Sequence, residues 1–107
     1  MPFFDAGQGT VRILFPGVTI RVVWGEQIMM SFVEFEPQAV VPPHSHPHEQ
    51  MGLLLEGEFE FTIGDETKML RAGDVWFVPS NVVHSVMAME KGAKALDIFH
   101  PVREEYK

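Results

Sequence analysis

His44-Ser-His46-Pro-His48-Glu-Gln50 gathers three of the chain's five histidines into five residues. Along an extended strand, residues i, i+2, i+4 and i+6 share one face, so His44, His46, His48 and Gln50 can all point the same way. A lone histidine is ordinarily a surface or core residue. Clustered at this spacing, directly after Pro42-Pro43, the histidines predict a metal site, because imidazole nitrogen is the commonest protein donor to Zn, Ni, Fe and Mn. The chain has no cysteine, which excludes disulfides and thiolate ligands and leaves only N and O donors.

On either side of this cluster, turn residues recur at short intervals: Gly7, Gly9, Pro16-Gly17, Gly25, Pro37, Gly57, Gly64-Asp65, Gly73-Asp74, Pro79, Gly92 and Pro101. Between them lie β-rich segments of strand length: Val18 to Trp24, Ile28 to Phe35, Gln50 to Leu55, Phe59 to Ile63, Val75 to Val78, Val83 to Met89 and Ala95 to Phe99. Glu66 to Leu70 reads as the return strand of a hairpin. No segment has room for a long helix, so the pattern predicts an all-β sandwich or small barrel. Met51-Gly-Leu-Leu-Leu55 is apolar on both faces, whereas a strand with one wet face alternates. Its outer side is covered either by a second copy of the chain, with Ile28-Met-Met30 and Met87 joining the contact, or by burial within one sandwich.

At 107 residues the chain fits one domain, 1–107. Its 46% hydrophobic content is ample for a core. A net charge of −7, with no basic cluster, disfavours nucleic acid as a partner. No stretch of about 18 apolar residues predicts a membrane span, and Met1-Pro-Phe-Phe-Asp lacks the basic and apolar regions of a leader, so the expected location is the cytoplasm.

The spacing resembles that of the cupins, whose first motif is G-x5-H-x-H-x3-E-x6-G and whose second is G-x5-P-x-G-x2-H-x3-N. His44, His46, Gln50 and Gly57 keep the intervals of the first (44–57), and Gly73, Pro79 and His84 those of the second (73–88). The resemblance implies a double-stranded β-helix, or jelly-roll barrel, holding one divalent ion (Ni, Zn, Fe, Mn or Co) through His44, His46, Gln50 and His84. Gln38, Asn81 and Ala88 depart from the pattern; Asn81 replaces a glycine but tolerates a left-handed backbone. Gln50 stands where the motif has glutamate. Four neutral donors leave the ion its full charge, which favours an anionic substrate. His48 is either a further ligand or a supporting residue at the pocket rim.

By period two, Asp97 and Phe99 share one face of the last strand. A carboxylate within a barrel strand is costly to bury unless something pairs with it or uses it, so Asp97 is either a rim residue or a catalytic one. The ending Asp97-Ile-Phe99-His-Pro-Val-Arg103-Glu-Glu-Tyr, with Leu55-Glu-Gly57-Glu-Phe-Glu-Phe-Thr-Ile-Gly64, resembles the small pectin-degradation cupins that linearise 4,5-unsaturated uronates. That resemblance implies a sugar-acid substrate, with Asp97, Phe99 and Arg103 lining the site. A non-haem iron or manganese dioxygenase and a non-catalytic sugar-binding module are the competing expectations, and a homodimer is the expected assembly.

Overall fold

Alternation builds the strands. In Val18–Trp24 (β2) and Met29–Phe35 (β3) the inward residues Val18, Ile20, Val22, Met29, Val33 and Phe35 are buried, and the residues between them are mostly more open. The computed structural model describes residues 2–107. The remaining strands are Thr10–Phe15 (β1), Val40–His44 (β4), Glu49–Ile63 (β5), Glu66–Arg71 (β6), Val75–Val78 (β7) and His84–His100 (β8), followed by a single 3-10 turn at Glu104–Tyr106. The fold is all-β, as the turn spacing predicts. No helix is long and apolar enough to cross a membrane among the described residues.

All pairings are antiparallel, and β5 and β8 are long enough to serve two sheets. The first half of β5 and the second half of β8 extend β1-β2-β3 and end on β7. Their other halves join β4 and β6. Both strands bend at glycines in the left-handed region, Gly57 (φ 81°) and Gly92 (φ 71°). A Cβ on Gly57 would collide with the Gly92 carbonyl, and one on Gly92 with that of Phe35, so the crossing admits no side chain at either position. Read as four separate segments, these are two bent strands.

β1 and β4 lie outside the sequence-derived strands for different reasons. β1 is an edge strand with exposed Val11 and Ile13, without alternation. β4 contains Pro42-Pro43, which a strand accepts only at an edge, and β4 pairs with β8 alone.

The inner faces meet around Phe59, whose ring stands 5.4 Å from Phe35 and 5.3 Å from Trp76. Burial of such side chains contributes about 1.5–3 kcal/mol each, which offsets the cost of the polar groups at one end of the barrel. On the outer face, Met30, Ile98, Met51 and Phe77 are ladder neighbours in one row, and Phe32, Leu96, Leu53 and Val75 form the next. Met51, Ile98, Phe77 and Val75 remain 40–61% exposed, so the outer side of Met51–Leu55 is not covered by the described residues.

Candidate metal centre

Strand pairing brings the two histidine motifs together. His44 ends β4 directly opposite His84, which begins β8, and their rings lie 4.2 Å apart. β4 stops at His44 and the chain bends over 45–48, so the four-residue alternation on one extended strand does not occur. The bend still carries His46 inward, with its ring 4.8 Å from His84 and 5.7 Å from His44. The ring nitrogens of His44, His46 and His84 all lie within 4.8 Å of one another. His48 is not part of this group. Its backbone carbonyl instead accepts a hydrogen bond from His46 Nδ1 at 3.0 Å.

The same orientation recurs at all three rings. His44 Nδ1 faces the Pro42 carbonyl at 3.0 Å, and His84 Nδ1 the Val82 carbonyl at 2.9 Å. A neutral imidazole has one N–H, and a carbonyl partner fixes it on Nδ1, which leaves the Nε2 lone pair for a ligand. Burial, reinforced for His46 by the Arg103 charge and for His84 by the His44 and His46 charges, lowers both pKa values to about 4. These two rings are therefore neutral at pH 7. His84 Nε2 is buried and has no hydrogen-bond partner among the described residues.

Gln50, at the start of β5, presents its Oε1 3.1 Å from His46 Nε2. Its amide orientation is set by Nε2, which donates to Asp97 Oδ1 at 2.9 Å. Two lone pairs facing each other repel unless a cation lies between them. A 3.1 Å edge also matches adjacent donors on an ion with bonds of about 2.0–2.1 Å. The unpartnered His84 Nε2, the facing acceptors and the shared tautomer make these residues a fit for one divalent ion held by N and O donors.

Asp97 lies on the inner face of β8, beside the centre. Trp76 Nε1 donates to the same Oδ1 at 2.9 Å, so both bonds fall on one oxygen and Oδ2 is left for the cavity. Burial raises the Asp97 pKa to about 6, against the opposing effects of the Gln50 and Trp76 bonds and the Arg103 charge. Trp76 reaches Asp97 because the residue between them in the ladder is Gly52; a Cβ there would fall inside the indole.

Arg103, from the C-terminal tail, is 7% exposed. Its Nη2 meets Glu105 Oε2 at 3.2 Å, and its guanidinium lies 4.0 Å from the Tyr106 ring and 5.0 Å from the Phe99 ring. Nε and Nη1 are buried without hydrogen-bond partners among the described residues. Arg12 holds this tail by donating to the carbonyls of Tyr106 and Lys107. A cavity of about 230 Å³ is lined by His44, Gln50, His84, Asp97, Phe99 and Arg103 at its polar part. Thus His44, Gln50, His84, Asp97, Phe99 and Arg103 border one cavity. His46 touches both Gln50 and His84 without lining it, and His48, expected as a further ligand or a rim residue, does not line it either. Trp76, Tyr106 and Ser31 also line it and were not singled out. A glycine inside an apolar strand, Gly52, was the signal for the Trp76 contact.

Comparison with known proteins agrees with this architecture. The family model described as "Cupin domain" matches residues 31–104. The pectin degradation protein KdgF of Dickeya dadantii (strain 3937) is 30% identical over 106 residues, 98% of this chain and 90% of that one. Among solved structures, KdgF from Halomonas sp. superposes with a TM-score of 0.88 at 29% identity, covering 98% of this chain and 97% of that one. An RmlC-like cupin from Shewanella frigidimarina NCIMB 400 superposes with a TM-score of 0.91 at 28% identity, covering 100% and 96%. Motif spacing, barrel and comparisons converge on one assignment: this chain belongs to the cupin domain family.

Proposed function

We propose that this cupin is a metal-dependent isomerase that opens the ring of a 4,5-unsaturated uronate to give a linear keto uronate. The observation that carries the reading is the buried Arg103, whose Nε and Nη1 have no hydrogen-bond partner among the described residues and which lines the same cavity as Asp97, His44 and His84. A buried guanidinium with free donors calls for a planar anion, and a carboxylate matches its fork. The cavity, about 230 Å³, is below the roughly 300 Å³ floor of pockets for drug-sized ligands and suits a single sugar ring. The whole-length similarity to a pectin degradation protein supports the same substrate class.

The reaction is a proton relocation. The hydroxyl proton at C1 is removed, the C1 carbonyl forms, and the bond from C1 to the ring oxygen breaks. The ring oxygen leaves as an enolate, which takes a proton at C4. Asp97 Oδ2 takes the first proton and returns one to carbon. Arg103 holds the C6 carboxylate, and Phe99 forms the wall beneath it. His44, His46, Gln50 and His84 would hold the ion, which supplies positive charge to stabilise the developing enolate oxygen. Incubation with unsaturated galacturonate should remove the enol-ether ultraviolet absorbance. An unchanged spectrum with metal-loaded protein rejects the proposal.

Replacing Arg103 by Ala removes the carboxylate partner and is expected to lower kcat/KM for the uronate about 10–100-fold, consistent with about 1.5–3 kcal/mol for a charge-assisted bond. Kinetics equal to wild type would defeat the clamp. We further propose that two copies pair through the exposed rows around Met51, Ile98 and Phe77, since contiguous apolar surface of this kind marks contact sites. Wild type should run as a dimer in light scattering and Met51→Glu as a monomer. A monomeric wild type contradicts the pairing.

A further inference from the structure

Ser31 is the one polar side chain that β3 sends inward, set between Met29 and Val33. It is 1% exposed, and its Oγ has no hydrogen-bond partner among the described residues. It lines the cavity and stands directly opposite Asp97 in the β3 and β8 ladder. Such antiparallel partners have Cα atoms about 4.5–5.5 Å apart, so hydroxyl and carboxylate share one patch of wall. They are nevertheless not bonded to each other, because the bonds to Asp97 come from Gln50 and Trp76. A buried hydroxyl without a partner costs stability; alanine would fill the position without that cost. The hydroxyl can both donate and accept, and the neighbouring cavity residues Val33 and Ile20 can do neither with their side chains.

We infer that Ser31 is a specificity-determining residue that hydrogen-bonds the substrate hydroxyl next to the one whose proton Asp97 moves. The inference rests on the uronate reading, in which Asp97 serves C1, so the hydroxyl in question is on C2. Configuration at C2 distinguishes the unsaturated uronate derived from galacturonate from the one derived from mannuronate. An epimer whose C2 hydroxyl turns away from Ser31 leaves that hydroxyl facing apolar wall, and sites built to bond a hydroxyl discriminate strongly when the bond is missing.

The test measures kcat/KM of metal-loaded wild type and Ser31→Ala on both C2 epimers, together with Tm. Wild type should favour one epimer by about tenfold or more. Ser31→Ala should lose most of that preference by slowing the favoured epimer alone, with a Tm equal to or above wild type. Equal turnover of both epimers by wild type, or an unchanged ratio in Ser31→Ala, overturns the inference while leaving ring opening intact. A lower Tm with equal losses on both epimers assigns Ser31 to packing and also overturns it. No turnover of either epimer by wild type removes the uronate reading and this inference with it.

Discussion

Asp97→Asn is expected to reduce ring opening about 10²–10⁴-fold while leaving fold and metal content unchanged. The amide oxygen of asparagine can accept the same two bonds from Gln50 and Trp76 that Oδ1 accepts now. What changes is the second atom, which ceases to be a base. Metal analysis and thermal melting separate this outcome from damage to the site. Because burial raises the Asp97 pKa to about 6, ionising this carboxylate in the folded state carries a cost at neutral pH, relieved as pH falls through 6. Asparagine removes that cost, so Tm at pH 7 should equal or exceed that of wild type. Wild-type kcat/KM should rise with pH up to about 6 and level off above it, and a bound cation would move this limb lower. The residual activity of Asp97→Asn should lack the limb. Near-normal turnover in that variant would remove Asp97 from proton transfer.

His84→Ala should carry the second large effect, loss of the ion together with activity. His84 is the only proposed ligand outside residues 44–50, and its Nε2 is one of the buried atoms without a partner among the described residues. Its removal leaves His44, His46 and Gln50, all from one end of the barrel wall. Bound metal should fall from about one equivalent to near zero. A ligand at about 100 times its Kd stabilises the folded state by about 2.7 kcal/mol, so added metal should raise the Tm of wild type and not that of the variant. Protons compete with metal at these rings, and depression of His46 and His84 to about 4 extends metal retention well below the usual histidine range. Full metal occupancy in His84→Ala would show that the second motif is not needed to hold the ion.

The fold class was legible because turn residues cut the chain into segments too short for helices, and the meeting of His44, His46 and His84 because motif spacing is a one-dimensional trace of strand register. His44 and His84 meet as ladder partners, which spacing alone implies once the barrel is granted. The bend at 45–48 was hidden because alternation assumes a strand that continues, and proline-flanked histidines do not supply one. β4 was hidden by its own prolines, which read as a break until an edge position excuses them. Trp76 and Ser31 were missed for a common reason: each gains its place from a neighbour on another strand. Met29, Ser31, Val33 and Phe35 alternate cleanly, so the inward position of Ser31 was readable, but not the ladder pairing that sets it opposite Asp97.

β5 and β8 carry Gln50, His84, Asp97 and Phe99, and each runs through both sheets. Their amides can exchange with solvent only when most of the molecule comes apart. Arg103 follows the last strand and is tied down through Arg12 and the ring of Tyr106, a far smaller cooperative unit. On the proposed reading, the side chain that would grip the anion sits on this smaller unit, so that local release of residues 103–107 would let a substrate enter or leave while the residues proposed to hold the ion and to act as base stay in register.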